Sequence, residues 1–320
     1  MAVVNPKYDP NASSAPPDIS TDYFELDGDG NILLGANPTP LTPAAGKITI
    51  NNQQRANFSM LSLVDEFGQV RQLQSSNLFV EAFEWTCQGS GQAMVGQNIA
   101  FSTSNTATVL FGFVGNDYQD HYLSKGRILL QTPSLSGLAY AFSQPKFNFS
   151  STPNPNQPSN NGSWGFLLAF RFNREDYGTF VTDTRVFIGL SSSLTPPTNV
   201  QPSTLLNSIG IIKDSADTTY SLYSAGGSIG TKIDLGVNFD AVSINDSFEV
   251  ILFSPIDSGK VYYEVRRVNT GYTHVTSGEF SSANLPTTLV QMGVRAWINS
   301  ATALVQARLA IHYFYGEVPR

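Results

Sequence analysis

From Leu78 to the C-terminus the chain is a succession of short runs, each closed by Gly, Pro, Asn or Ser: LFVEAFEW, ATVLFGFVG, GRILLQT, GFLLAFRF, DTRVFIGL, SIGIIKD, FEVILF, KVYYEVRRV, YTHVTSGEF and ALVQARLAIHYFY. They are rich in β-branched and aromatic residues, and almost no window places apolar residues at helical spacing. In the last run Val305, Ala307, Leu309, Ile311 and Tyr313 fall on one face, and Gln306, Arg308, Ala310 and His312 on the other. That period of two turns one face toward a core and the other toward solvent or a partner. Phe248 to Phe280 reads as a meander with SPIDSG and NTG as its turns. Such spacing predicts an all-β protein whose main body, residues 77–320, is an antiparallel two-sheet sandwich.

The first 76 residues are different in kind. Residues 1–43 hold seven of the 18 prolines, in NPKYDPNASSAPPD and NPTPLTP, and so predict an extended arm without a core of its own. One hairpin interrupts the arm at FELDGDGNILL. Asp27, Asp29 and Asn31 alternate as the ligands of a calcium loop do, but the sixth position is Ile32 where the loop needs Gly, and the twelfth is Pro38 where it needs Glu. The stretch is therefore read as a turn rather than a metal site. Residues 44–76 alternate in three short runs, with Ile48 and Ile50, Leu61 and Leu63, then Val70 and Leu73, and DEFGQ as a turn. These predict a three-stranded meander too small to bury its own faces. Pro145 to Ser163 is a polar insertion, expected as a surface loop that Phe147 and Phe149 help to pack, or else a boundary between two β subdomains.

With 41% apolar residues, 320 residues are enough for a substantial core. Only 13% are charged and the net charge is -7, which argues against a nucleic-acid partner because phosphate binding needs clustered Lys and Arg. The longest basic run is Arg266-Arg267, and a strand would put those two on opposite faces. Cys87 is the single cysteine, so an intrachain disulfide and a CxxC metal site are both excluded. No charged leader precedes an apolar stretch and no run approaches the length of a membrane span, so neither export by a signal peptide nor membrane insertion is expected.

Catalytic motifs are missing. His121, His274 and His312 are far apart, and no GxSxG, HExxH, phosphate-loop or dinucleotide pattern accompanies them. SAGGSIG, Ser224 to Gly230, has no Lys and opens no helix, so it reads as a hairpin turn. Paired carboxylates would mark a glycosidase, but Glu175 and Asp176 are adjacent and are expected in an exposed loop. No catalytic, cofactor or metal residue is assigned. Trp85, Trp164, Trp297 and 13 tyrosines among many Asn and Ser are suited to holding sugars, yet aromatics in a sandwich mostly enter its core, so no ligand-binding residue is singled out.

From Arg185 onward the string RVFIGLSSSLTPPTNVQPSTLLNSIGIIKDSADTTYSLYSAGGSIGTKIDLGVNF resembles tailed-bacteriophage tail-fibre and receptor-binding proteins. VYYEVRRVNTG, LPTTLVQMGVRAW and LAIHYFYGE are similar to closing strands of the same family, and TPAAGKITI with LVDEFGQVRQLQ resembles a short module near the start of phage tail proteins. The resemblance implies a concanavalin-like sandwich on a homotrimeric virion appendage made in the host cytoplasm. Its N-terminus would contact other virion proteins of tail, baseplate or capsid, and its sandwich would face a host-surface glycan. A polysaccharide depolymerase tailspike and a head fibre or decoration protein are the alternatives.

Overall fold

The computed structural model describes residues 165–318 apart from 176–182, 194, 196–199, 229, 242–245, 256–258, 269–273, 287–290 and 301–306; before 165 it describes the strands and a few flanking residues. The chain divides into two compact units, one of residues 1–54 and 59–75, the other of 55–58 and 76–320.

The first unit contains two small sheets. β1 (Phe24–Leu26) pairs antiparallel with β2 (Ile32–Leu34), Leu26 opposite Ile32, so the Asp-Gly stretch joins the two arms of a hairpin. Asp27, Asp29 and Asn31 themselves lie outside the described residues. β3 (Thr49–Arg55), β4 (Phe58–Val64) and β5 (Val70–Gln72) form the expected three-stranded meander.

The second unit is the sandwich. Its early strands are β6 (Glu81–Thr86), β7 (Val95–Gly96), β8 (Ile99–Thr103), β9 (Ala107–Leu110), β10 (Arg127–Gln131), β11 (Gly137–Ser143) and β12 (Phe147–Asn148). There follow β13 (Phe166–Arg174), β14 (Thr184–Ser191), β15 (Ser208–Lys213), β16 (Ser221–Ala225) and β17 (Thr231–Asp234). β18 (Ser247–Ser254), β19 (Lys260–Arg267), β20 (His274–Ser281), β21 (Gln291–Ser300) and β22 (Arg308–Val318) complete it. Among the described residues one sheet counts eight strands, ordered β20-β19-β18-β13-β22-β10-β9 with β6 also on β22. The other counts nine, ordered β17-β16-β15-β14-β21-β11-β8-β7 with β12 also on β21. Every pairing is antiparallel. The two longest described strands, β21 and β22, are consecutive in sequence yet lie inside opposite sheets.

Alternation builds the core. Leu168, Phe170 and Phe172 of β13 and Phe248, Val250 and Leu252 of β18 face Val186, Ile188 and Leu190 of β14 and Val294, Ala296 and Ile298 of β21 in one buried cluster. Each such side chain contributes roughly 1.5–3 kcal/mol by leaving water. The meander Phe248 to Phe280 is present as β18, β19 and β20. The SAGGSIG turn joins the antiparallel strands β16 and β17.

Two expectations need correction, and a third gains detail. The last strand begins at Arg308, and its alternation is broken by an irregularity where Arg171 faces Tyr313 and Phe172 faces Ile311. A bulge adds one residue, so Leu309 and Ile311 point into the core, then Phe314 does, and Tyr313 points outward. Glu175 is buried, not in an exposed loop, because it ends β13 as the ion-pair partner of Arg127 at 2.6 Å; Asp176 lies outside the described residues. Within the polar insertion, Phe147 and Asn148 form a short strand on β21, opposite Met292 and Gln291, while its other residues lie outside the described ones.

Candidate functional site: the two outer faces

Residues that do not enter the core lie on the outer faces of the two sheets, and the two faces are chemically unlike. On the eight-stranded sheet four of the residues that alternate with core positions of β13, β18 and β19 are charged: Arg171, Glu249, Glu264 and Arg266. Their pairing register places them side by side, and one further cation joins them. Arg55 lies in the segment 55–58 that belongs with this unit; its Nε donates to Glu264 at 2.5 Å and its Nη2 to Glu249 at 2.5 Å. Arg171 donates to the other Glu249 oxygen at 2.7 Å, Arg266 donates to Glu264 at 2.5 Å, and the Tyr313 hydroxyl, turned outward by the bulge, donates to Glu249 at 3.1 Å.

The backbone is shaped for this contact. Ala56, directly after β3, holds φ at 43°, and its N–H donates to Glu264 at 3.2 Å. That conformation costs an L-residue about 1 kcal/mol, and the carboxylate contact offsets it. Burial pushes the Glu249 carboxyl up, but the charges of Arg55 and Arg171 and their hydrogen bonds outweigh it and hold the group well below the usual range. Burial raises the Tyr313 hydroxyl, and Glu249 raises it further. Every charge here meets its opposite, so the cluster is a structural clasp.

At one end of the sandwich lies a second buried polar group. Arg174 donates to Thr184 Oγ1 at 2.9 Å and to the Arg308 carbonyl at 3.1 Å, and Lys213 Nζ donates to the Thr184 carbonyl at 2.9 Å. Burial, then the charge of Arg174, lower Lys213 to about 8. His312 Nε2 lies 2.8 Å from Asn173 Oδ1, which makes it a buried structural histidine. His274 sits on the edge strand β20, while His121 and Trp164 fall outside the described residues, as does the side chain of Trp85. The two described histidines, His274 and His312, lie on separate strands of the sheet, with β19, β18 and β13 between them.

The outer face of the nine-stranded sheet is apolar. Phe142, Phe187, Ile212, Tyr223, Ala225 and Trp297 form a cluster separate from the core, with Leu138, Tyr140 and Leu205 packed against it. Register sets the pattern: Tyr140 faces Trp297 and Trp297 faces Phe187, the latter two rings stacked at 6.3 Å. On the next rung Phe142 faces Arg295, Arg295 faces Gly189, Gly189 faces Gly210 and Gly210 faces Tyr223. Arg295 and Tyr223 therefore flank a strip without side chains. A Cβ on either glycine would run into the backbone of the other strand. The connection from β14 to β15 is tied to this face: Arg295 Nε donates to the Ser193 carbonyl at 2.8 Å, and the Tyr223 hydroxyl donates to the Leu205 carbonyl at 2.9 Å. Ser203 N and the Asp214 carboxylate at 3.0 Å hold the same connection to the next loop.

Trp297 is thus part of the outward cluster, fully buried in mid-strand. Sequence reading did not single out Tyr140, Phe142 or Arg295. In GLAYAFS both faces of β11 are apolar or small, so no alternation shows, and the carbonyls that hold Arg295 come from distant segments. Among the described residues no group of three His, Cys, Asp or Glu could hold a metal, and no helix is long and apolar enough to cross a membrane.

No family model matches the chain, and no curated protein sequence matches it. Solved structures similar to it include the lectin UEA-II complexed with galactose, at 10% identity and a TM-score of 0.49, covering 75% of this chain and 99% of that one. Peanut lectin with a 9mer peptide is similar at 13% identity and 0.48, covering 75% and 98%. Lectin I from Ulex europaeus, in complex with the methyl glycoside of alpha-L-fucose, is similar at 11% identity and 0.48, covering 75% and 98%. The sandwich itself rests on the sheet order and the shared core described above.

Proposed function

We propose that the protein is a structural component of a tailed-bacteriophage virion, a tail fibre or similar appendage that attaches through its N-terminal arm, assembles as a homotrimer and presents the sandwich to a glycan on the host surface. The strings that resemble phage receptor-binding proteins supply β14 to β17, β19, β21 and β22. The observation that carries the glycan reading is the outer face of the nine-stranded sheet. There the rings of Tyr140, Phe142 and Trp297 lie beside the N–H groups of Arg295, with Arg185 and Asn299 one rung away, joined by a 3.2 Å hydrogen bond. A sugar offers an apolar ring face and hydroxyl or carboxylate oxygens, and the half-buried ring of Tyr140, backed by the buried rings of Phe142 and Trp297 and edged by donors, matches both. Binding is favoured over cleavage because Glu249 is locked as an ionised partner of two arginines. A glycosidase needs one carboxyl free to carry a proton.

Fluorescently labelled full-length protein, titrated onto a panel of bacterial strains, should bind one of them saturably, and the purified surface polysaccharide of that strain should compete. Immunogold labelling of phage particles should place the protein on an appendage. Uniform weak binding that polysaccharide does not displace, with unlabelled particles, would overturn the reading, and released oligosaccharide would replace it with a depolymerase.

A further inference from the structure

Arg295 is a buried cation of an unusual kind. Only 3% of it is exposed, yet its contacts are all neutral: Nε donates to the Ser193 carbonyl at 2.8 Å, Nη1 to the carbonyls of Ser143 and of Val294, and the guanidinium lies over the Phe142 ring at 4.8 Å. Those bonds use three of the five N–H groups of a guanidinium. The two on Nη2 have no partner among the described residues, so Nη2 is the donor left over for a ligand. In the clasp on the opposite sheet, by contrast, Arg55, Arg171 and Arg266 each meet a carboxylate. Burial alone lowers Arg295, to about 10, which still leaves it charged at neutral pH.

The sequence also makes room for this arrangement. A Cβ at Gly293, two residues earlier on the same face, would collide with the guanidinium. Gly189, its neighbour across β14, adds no side chain either. On the other side Phe142 packs at 5.1 Å, with ring planes at 53°, against the half-buried ring of Tyr140. A cation held by neutral carbonyls, next to aromatic rings, is preorganised for an anion that carries an apolar body.

We infer that Arg295, with Phe142 and Tyr140, forms a binding site for a carboxylate-bearing sugar, the carboxylate resting on Nη2 and the sugar ring on Tyr140. The inference rests on the glycan-binding reading above and names the class of sugar. A single guanidinium amino group matches one carboxylate, whereas the neutral sugars that the rings alone would take have no use for a buried charge.

The test uses the full chain and two probes, methyl β-glucuronide and methyl β-glucoside, which differ in carboxylate against hydroxymethyl. Titration followed by saturation-transfer NMR should show the glucuronide bound about tenfold more tightly, as one charge-assisted hydrogen-bonded contact gives. Arg295→Lys should abolish that preference, Gly293→Ala should do so by displacing the guanidinium, and Tyr140→Ala should weaken both probes together. Equal binding of the two probes by the unaltered protein, or no saturable binding of the glucuronide, overturns the inference whether or not the variants fold. Host-cell binding that persists without any uronide preference would sink this inference alone and leave the glycan reading standing. Uronide binding without host-cell binding would do the reverse.

Discussion

Arg55 and Arg295 are equally sequestered cations on opposite outer faces of one sandwich, and they are handled in opposite ways. Arg55 reaches two carboxylates, which are themselves held by Arg171, Arg266 and Tyr313. Arg295 reaches three carbonyls and a ring. Removing a charge from water costs several kcal/mol, and a matched cluster recovers that within the fold. An unmatched cation recovers it only in part, so the difference separates a face that holds the protein together from one whose last contact is supplied by something else.

The two faces should therefore respond differently to loss of their arginine. Arg55→Met leaves Glu249 and Glu264 buried with one partner fewer each and should lower the unfolding free energy by about 3–5 kcal/mol. Arg295→Met exchanges three carbonyl bonds for relief of an unbalanced buried charge, and should cost no more than about 1–2 kcal/mol. Urea denaturation of both variants measures the gap, and equal losses would remove the distinction.

Acid should act through the clasp. The folded Glu249 carboxyl lies below its unfolded value, so its stabilisation is complete above the unfolded pKa and is lost as pH falls through the range below about 4.5. The melting temperature of the parent should fall there more steeply than that of Glu249→Gln.

A smaller effect, again a gain of stability as pH rises, belongs to Lys213. Its folded pKa of about 8 lies below the unfolded value, so the unfolded chain binds the extra proton between them and burial of this lysine becomes less costly as pH rises from 8 toward 10. Over that interval the parent should gain stability relative to Lys213→Met, and a parallel course would show that the lysine is not desolvated. Smallest of all is Lys260→Ala at the exposed pair with Glu279, 2.8 Å apart, which should leave the melting temperature unchanged.

How much of this was legible in the sequence depended on whether the signal was local. The alternation in GFLLAFRF and FEVILF exposed the core face of β13 and β18, because both strands keep large apolar residues on every second position. The Asp-Gly turn, the meander of Phe248 to Phe280 and the SAGGSIG turn were legible for the same reason: each needs only neighbours in sequence. The bulge at His312 was not, since ALVQARLAIHYFY alternates without a break and only pairing with β13 shifts it. Glu175 beside Asp176 looked like a polar loop because Arg127, which buries it, lies 48 residues earlier, 175 minus 127. The Arg295 site was hidden for the same reason twice over, its acceptors lying at Ser143 and Ser193 and its ring partner at Phe142.

The most direct test of the contrast between the faces puts Arg55→Met and Arg295→Met side by side in one pair of assays, urea denaturation and binding of methyl β-glucuronide under conditions where both are folded. The account predicts a crossed result: Arg55→Met loses stability and binds as the parent does, while Arg295→Met keeps most of its stability and no longer prefers the glucuronide to the glucoside. Loss of binding in Arg55→Met together with unchanged binding in Arg295→Met would contradict it, and would move the ligand to the face of the eight-stranded sheet.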